Sequence, residues 1–157
     1  ELDWAVGLMN GVVGGVDGVR RGVHVCRGNW SRREDVHLEG DYSSMLPFLV
    51  QMEVDQLVLE MATPRAGEID VFKEYGNEKE LGLGVVNPRS DQIEDPATIV
   101  ERVEQLLDYF DPEKIFLNPD CGFGTFAERS LNPPAVAAAK LRSISTAAAE
   151  LRARHGS

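Results

Sequence analysis

The chain has 157 residues, 43% hydrophobic and 27% charged, with a net charge of −10 from 16 basic and 26 acidic residues. That is an ordinary globular composition with enough residues for one core, and it excludes collagen-like, coiled-coil and disordered classes. The acidity argues against nucleic acid as the main partner, because phosphate binding needs a basic surface. No apolar run is long enough to span a membrane, and residues 1–10 carry acids where a signal peptide carries lysines. A cytoplasmic location is therefore expected.

Leu2 to Val13, with Trp4, Val6, Leu8 and Met9, reads as the end of a helix. With no initiator Met, the chain reads as a piece of something longer. Asn10 to Gly18 (NGVVGGVDG) is rich in glycine but lacks the GxGxxG order between a strand and a helix, so no nucleotide loop is expected there.

Four short apolar runs follow: Gly22–Cys26, Gln56–Glu60, Leu81–Val86 and Lys114–Asn118. Rich in Val, Leu and Ile and without strict alternation, they predict parallel strands buried on both faces. Helical character is expected after each. Met45, Leu46, Phe48, Leu49 and Met52 make a stripe behind a cap at Asp41 or Ser43, and Gly67 to Tyr75 reads as a short helix. Asp95-Pro96 opens the clearest helix, with Ile99, Val103, Leu106, Leu107 and Phe110 on one face. Asn132-Pro133-Pro134 is expected to cap an Ala-rich helix running to about Arg154.

A repeat of roughly 30 residues is the length of one βα unit. Four units predict an α/β protein with a parallel sheet: half of an eight-fold barrel, or an open doubly wound sheet. Such folds place their sites at the C-terminal ends of the strands. His24 and Cys26 end the first strand two residues apart, so they point to one side. Glu60 closes the second run, and the fourth leads into Asn118-Pro119-Asp120-Cys121-Gly122. One imidazole, two thiols and one carboxylate suit tetrahedral zinc. A disulfide between Cys26 and Cys121 would leave His24 and Glu60 unexplained. His37 and His155 lie in polar segments and are expected to take no part.

These residues also carry a family resemblance. His24-Val-Cys26, the strand-ending Glu60 and Asn118-Pro-Asp-Cys-Gly122 resemble the zinc signature of the cobalamin-independent methionine synthase family. The resemblance covers the whole chain and implies the C-terminal half of a zinc-containing (β/α)8 TIM barrel, residues 1–157 being a partial catalytic domain. It implies zinc held by His24, Cys26, Glu60 and Cys121, and methyl transfer to the thiol of homocysteine to make methionine. The homocysteine sulfur is expected to displace Glu60, the only hard oxygen donor.

Two segments depart from the long members of that family. Asn87-Pro88-Arg89-Ser90 stands where they carry a His thought to donate a proton, and Gly122 to Phe126 replaces a segment that is usually basic. Cys26-Arg27-Gly28-Asn29 is closer to short, single-barrel members. The methyl donor stays open between 5-methyltetrahydrofolate and a methylcorrinoid protein. Asp120, Asn29, Ser90 and Arg89 are expected near the ligands or lining the pocket. The groups that bind the amino acid would lie on the N-terminal half of the barrel, required in cis or in trans. Alkyl transfer to another thiol, such as coenzyme M, and a purely structural zinc are the alternatives.

Overall fold

The computed structural model describes residues 1–124 and 126–156, so Thr125 of the Gly122–Phe126 segment and Ser157 lie outside the described residues. Helix α1 (Leu2–Val13) leads into strand β1 (Gly22–Val25). Then follow a short α2 (Leu46–Leu49), β2 (Gln56–Leu59), β3 (Glu80–Val86), α3 (Pro96–Leu106), β4 (Ile115–Pro119) and α4 (Pro134–His155). The strands form one parallel sheet in the order β1-β2-β3-β4. Neighbours in sequence are neighbours in space, as successive βα units require.

Register divides the strands into two faces. His24 pairs with Val58, Val58 with Gly82 and Gly82 with Phe116, so these four form one layer across the sheet. The alternate residues Leu57, Leu59, Leu81 and Leu83 point to the opposite, helix-covered face and are buried. They join Leu46, Leu49, Phe72, Ile99, Val103, Leu106 and Phe110 in the core. Burial of such side chains contributes about 1.5–3 kcal/mol each relative to exposure.

Burial on both faces holds for β3, whose residues from Leu81 to Val86 are all buried, but not for the outer strands. Positions along β1 alternate between exposed and partly exposed, and β4 is partly exposed throughout. Both are sheet edges among the described residues.

The helix expected after every strand is present only twice. Asp95 caps α3 by accepting from the Ala97 N–H at 2.9 Å, with Pro96 opening the helix. After β1, α2 is only four residues long, and after β2 the chain forms 3-10 turns at Pro64–Ala66 and Ile69–Lys73. Proline and glycine explain this: Pro47 and Pro64 cannot continue a preceding turn, and Gly67 takes a positive φ of 90°. Asp41 does not cap α2; it accepts from the Ser43 N–H at 2.9 Å and closes a turn ahead of it. Asn132 is not the cap of α4 either. Its amide donates to the Ser90 carbonyl at 3.0 Å and to Asp91 at 2.9 Å, and Pro133 takes the cap position.

Helix α4 presents Lys140, Ser143, Ile144 and Ala147 to the interior, three to four residues apart. Lys140 is fully buried and holds the loop after β3: its Nζ reaches the Gln92 carbonyl and both Glu94 oxygens, at 3.0 and 2.8 Å. Glu94 in turn accepts from the Asn87 N–H at 2.8 Å. The buried lysine thereby fixes the segment that carries Arg89.

Candidate metal centre

His24 and Cys26 lie on and just past β1, at one edge of the sheet, and Cys121 follows β4 at the other. In a flat sheet these edges would be about 14 Å apart, three strand spacings of about 4.8 Å. Instead the two sulfurs lie 3.0 Å apart and are not bonded. The sheet is therefore strongly curled at its C-terminal end.

The ligand atoms of His24, Cys26 and Cys121 all lie within 4.8 Å of one another. Nε2 of His24 is 3.4 Å from the Cys121 sulfur, and the nearer Glu60 oxygen is 3.5 Å from it. Tetrahedral zinc holds sulfur and nitrogen or oxygen donors about 3.5 Å apart, as its bond lengths of about 2.0–2.3 Å require. The donor set and its nitrogen–sulfur and oxygen–sulfur spacings fit that ion, and the two sulfurs, 3.0 Å apart, would separate to hold it. Glu60 stands beside this three-residue cluster, with one oxygen near the Cys121 sulfur.

The surrounding groups orient each donor. Nδ1 of His24 lies 3.0 Å from the Val58 carbonyl, which can only accept, so Nδ1 carries the proton and Nε2 keeps its lone pair for the cluster. The Gly28 N–H donates to the Cys26 sulfur at 3.4 Å, from a backbone with φ of 103°. Burial and the adjacent Cys26 sulfur push the Cys121 thiol up, so without a cation it stays protonated. A divalent charge reverses that preference.

Glu60 is almost fully buried, and both its oxygens are engaged. Oε1 accepts from Nε of Arg27 at 3.0 Å, and Oε2 accepts from the Asn29 amide. That amide also donates to the Cys121 sulfur at 3.5 Å. Its orientation is set by Arg89, whose Nε donates to Asn29 Oδ1 at 2.8 Å. Asn29 and Arg89, both expected in the pocket, thus lie beside Glu60 and Cys121.

Asp120 is buried beneath the cluster. Its Oδ1 accepts from the N–H groups of Met61 and Ala62 at 2.9 and 3.0 Å, tying β4 to the segment after Glu60. Burial raises its carboxyl to about 7; the Glu60 charge acts in the same direction, while the two backbone donors and Arg102 oppose it. Ser90 is placed differently, with its hydroxyl accepting from the Gln92 N–H at 3.1 Å. His37 bonds the Ser31 carbonyl and His155 lies 3.5 Å from Glu104, both outside the cluster.

Sequence reasoning missed Arg27. It sits next to Cys26, just past the end of β1, and its guanidinium stacks 4.6 Å from the centre of the Tyr42 ring. A basic residue in that place was the available signal. Tyr42, whose hydroxyl donates to the Glu60 carbonyl at 3.2 Å, gave none.

Comparison with known proteins agrees with this geometry. Residues 24–149 match the family model described as the catalytic domain of cobalamin-independent synthase. A methionine synthase from Saccharolobus solfataricus is 31% identical over 122 residues, 78% of this chain and 33% of that protein. One from Sulfurisphaera tokodaii is 33% identical, over 78% of this chain and 32% of its own length. The chain therefore spans about a third of the length of the curated relatives it matches. A solved B12-independent methionine synthase from Shewanella sp. W3-18-1, in complex with selenomethionine, superposes with a TM-score of 0.81 at 19% identity. The match covers 97% of this chain and 44% of that one, so the four parallel strands are those of half a TIM barrel.

Proposed function

The chain belongs to the cobalamin-independent synthase family, within its catalytic domain, and on that premise we propose that it is the zinc-binding half of a cytoplasmic methyltransferase that methylates homocysteine. The observation that carries this reading is the convergence of His24, Cys26 and Cys121 within 4.8 Å, with Glu60 beside them. His24 Nε2, the two cysteine sulfurs and a Glu60 oxygen would hold the ion. Bound zinc would supply the positive charge that keeps a substrate thiol deprotonated and nucleophilic at neutral pH.

The chain's own residues prepare that chemistry. The Val58 carbonyl fixes the His24 tautomer, and Asn29 supports Cys121 and Glu60 together. Structural zinc sites favour closed sets of cysteine and histidine, whereas an oxygen donor marks a site that opens. That difference favours catalysis over a structural ion. The methyl donor, 5-methyltetrahydrofolate or a methylcorrinoid, and the groups that bind the amino acid belong to the other half of the barrel. Alkylation of a different thiol, such as coenzyme M, would use the same zinc ligands and a different second half.

The open edges β1 and β4 support the need for that half. So does an apolar groove of about 650 Å³ between β4, α3 and α4, lined by Ile115, Leu117, Leu141, Ile144 and Leu151 among others. Metal analysis tests the reading. The purified chain should hold one zinc, lost on Cys121→Ser substitution, and the cobalt-substituted protein complemented with the N-terminal half should gain a thiolate-to-metal absorption band when homocysteine is added. Absence of metal from both proteins would remove the chemistry and leave only the fold.

A further inference from the structure

Arg27 and Glu60 form an ion pair whose side chains are 8% and 7% exposed, directly behind the ligand cluster. Buried pairs of this kind are costly unless every polar atom is satisfied. Here it is not: Nη1 and Nη2 of Arg27 are buried with no hydrogen-bond partner among the described residues. A guanidinium binds a carboxylate best as a fork, through two parallel N–H donors, and only Nε is used. The second Glu60 oxygen is instead turned to Asn29 and towards Cys121.

This arrangement is half of a bidentate pair, with the other half left open. We propose that Arg27 is a positioning residue that makes Glu60 an exchangeable ligand, receiving its carboxylate as a bidentate partner when a substrate thiolate takes its place. The inference rests on the zinc-thiol reading above.

Charge explains why such a receiver is needed. Two thiolates and a carboxylate outweigh a divalent ion by one negative charge, which Arg27 neutralises. When a thiol enters, its proton leaves to solvent, a sulfur–metal bond forms and the bond to the Glu60 oxygen breaks. Glu60 remains buried beside Arg27. Without Arg27, it would be an unpaired charge next to a centre that is itself negative, a heavily disfavoured state. With Arg27 present, the released carboxylate gains a second hydrogen bond from an Nη that has no other partner.

Arg27 therefore favours the thiol-bound state without being needed for metal uptake. Removing it should strengthen Glu60 as a ligand, because nothing then competes for its charge. A residue that merely supported the fold would act oppositely, weakening metal and thiol binding together.

The test takes as parent the 157-residue chain complemented with the N-terminal half of a family barrel, together with its Arg27→Met and Arg27→Lys variants, and Glu60→Gln with and without Arg27→Met. Zinc affinity is measured by chelator competition, and thiol binding by homocysteine titration of the cobalt-substituted proteins. Arg27→Met should hold zinc within about threefold of the parent, or more tightly, while its homocysteine half-saturation rises about tenfold or more. Arg27→Lys should recover part of that loss, and in the Glu60→Gln background Arg27→Met should change little. Equal losses of zinc and homocysteine in Arg27→Met, or no change in either, would overturn the role given to Arg27 while leaving the zinc-thiol reading intact. If the parent chain binds zinc but shows no homocysteine band, exchange at Glu60 is wrong and the Arg27 role falls with it. Failure of the parent chain to bind zinc overturns the functional reading itself.

Discussion

At Gly84 a hydrogen stands where any other residue would place a carbon. A Cβ there would overlap Asp120 Oδ1 and come within 3.0 Å of the Leu59 carbonyl and the Met61 nitrogen. The carboxylate uses that space to reach the two backbone donors beyond β2. Gly84→Ala is therefore expected to destabilise the protein by about 1–3 kcal/mol in urea unfolding, since the new carbon would displace the buried Asp120 carboxylate from its two backbone donors and has backbone atoms at 3.0 Å behind it. An unchanged unfolding midpoint would show that Asp120 is not held there. At this scale the sequence was informative about the candidate donors, since His24, Cys26, Glu60 and Cys121 could be named from it and the structure brings His24, Cys26 and Cys121 within 4.8 Å of one another. It was silent on their supports. Asn29, Arg89 and Asp120 could be placed near the site, but which atom each holds depends on contacts between segments 31 to 92 residues apart.

Among the elements, α4 does more than cover the sheet. Lys140 occupies the same inward stripe as Ile144 and Ala147, in a place where an apolar residue would be routine. Its pairing with Glu94 fixes the loop that brings Arg89 to Asn29. Lys140→Met should cost about 2 kcal/mol, less than a fully buried pair because Glu94 is partly exposed. Thermal unfolding measures this, and Glu94→Gln added to Lys140→Met should recover part of the loss. A substitution without effect would mean that the loop is held by other contacts. The Lys140 position was legible as one of a helical set of residues three to four apart, but its partner was not. The first two connections are less helical than their apolar spacing suggests: the first holds a four-residue α2, and Pro64 and Gly67 break the second into two 3-10 turns. The strand positions survived better: each apolar run lies within one or two residues of its observed strand. Runs of Val and Leu bounded by polar residues are set locally.

For the molecule as a whole, the exposed surfaces are the informative ones. Trp4, Leu8 and Val12 form an uncovered row along α1, with Trp4 71% and Val12 74% exposed. Together with the edges of β1 and β4 and the groove at α4, they leave more apolar surface open than a finished domain tolerates. We expect the isolated chain to self-associate or bind hydrophobic dyes, and to become a discrete, dye-silent complex when the N-terminal half of a family barrel is supplied. Light scattering on the two preparations decides the matter, and a monodisperse, active monomer of this chain alone would count against it. Half of the barrel could be read from the sequence because βα repeats are local. Curvature could not, since it arises from the meeting of residues at opposite edges of the sheet.

That meeting gives the ligands a mechanical meaning. His24 and Cys26 stand at one end of an arc of four strands, and Cys121 at the other. An ion held by all three would act as the string of a bow, keeping the ends of the arc together. Whatever binds the bent form is favoured by the ion, and in turn tightens the grip on it. Closing the barrel and loading the centre thus become two readings of a single tension.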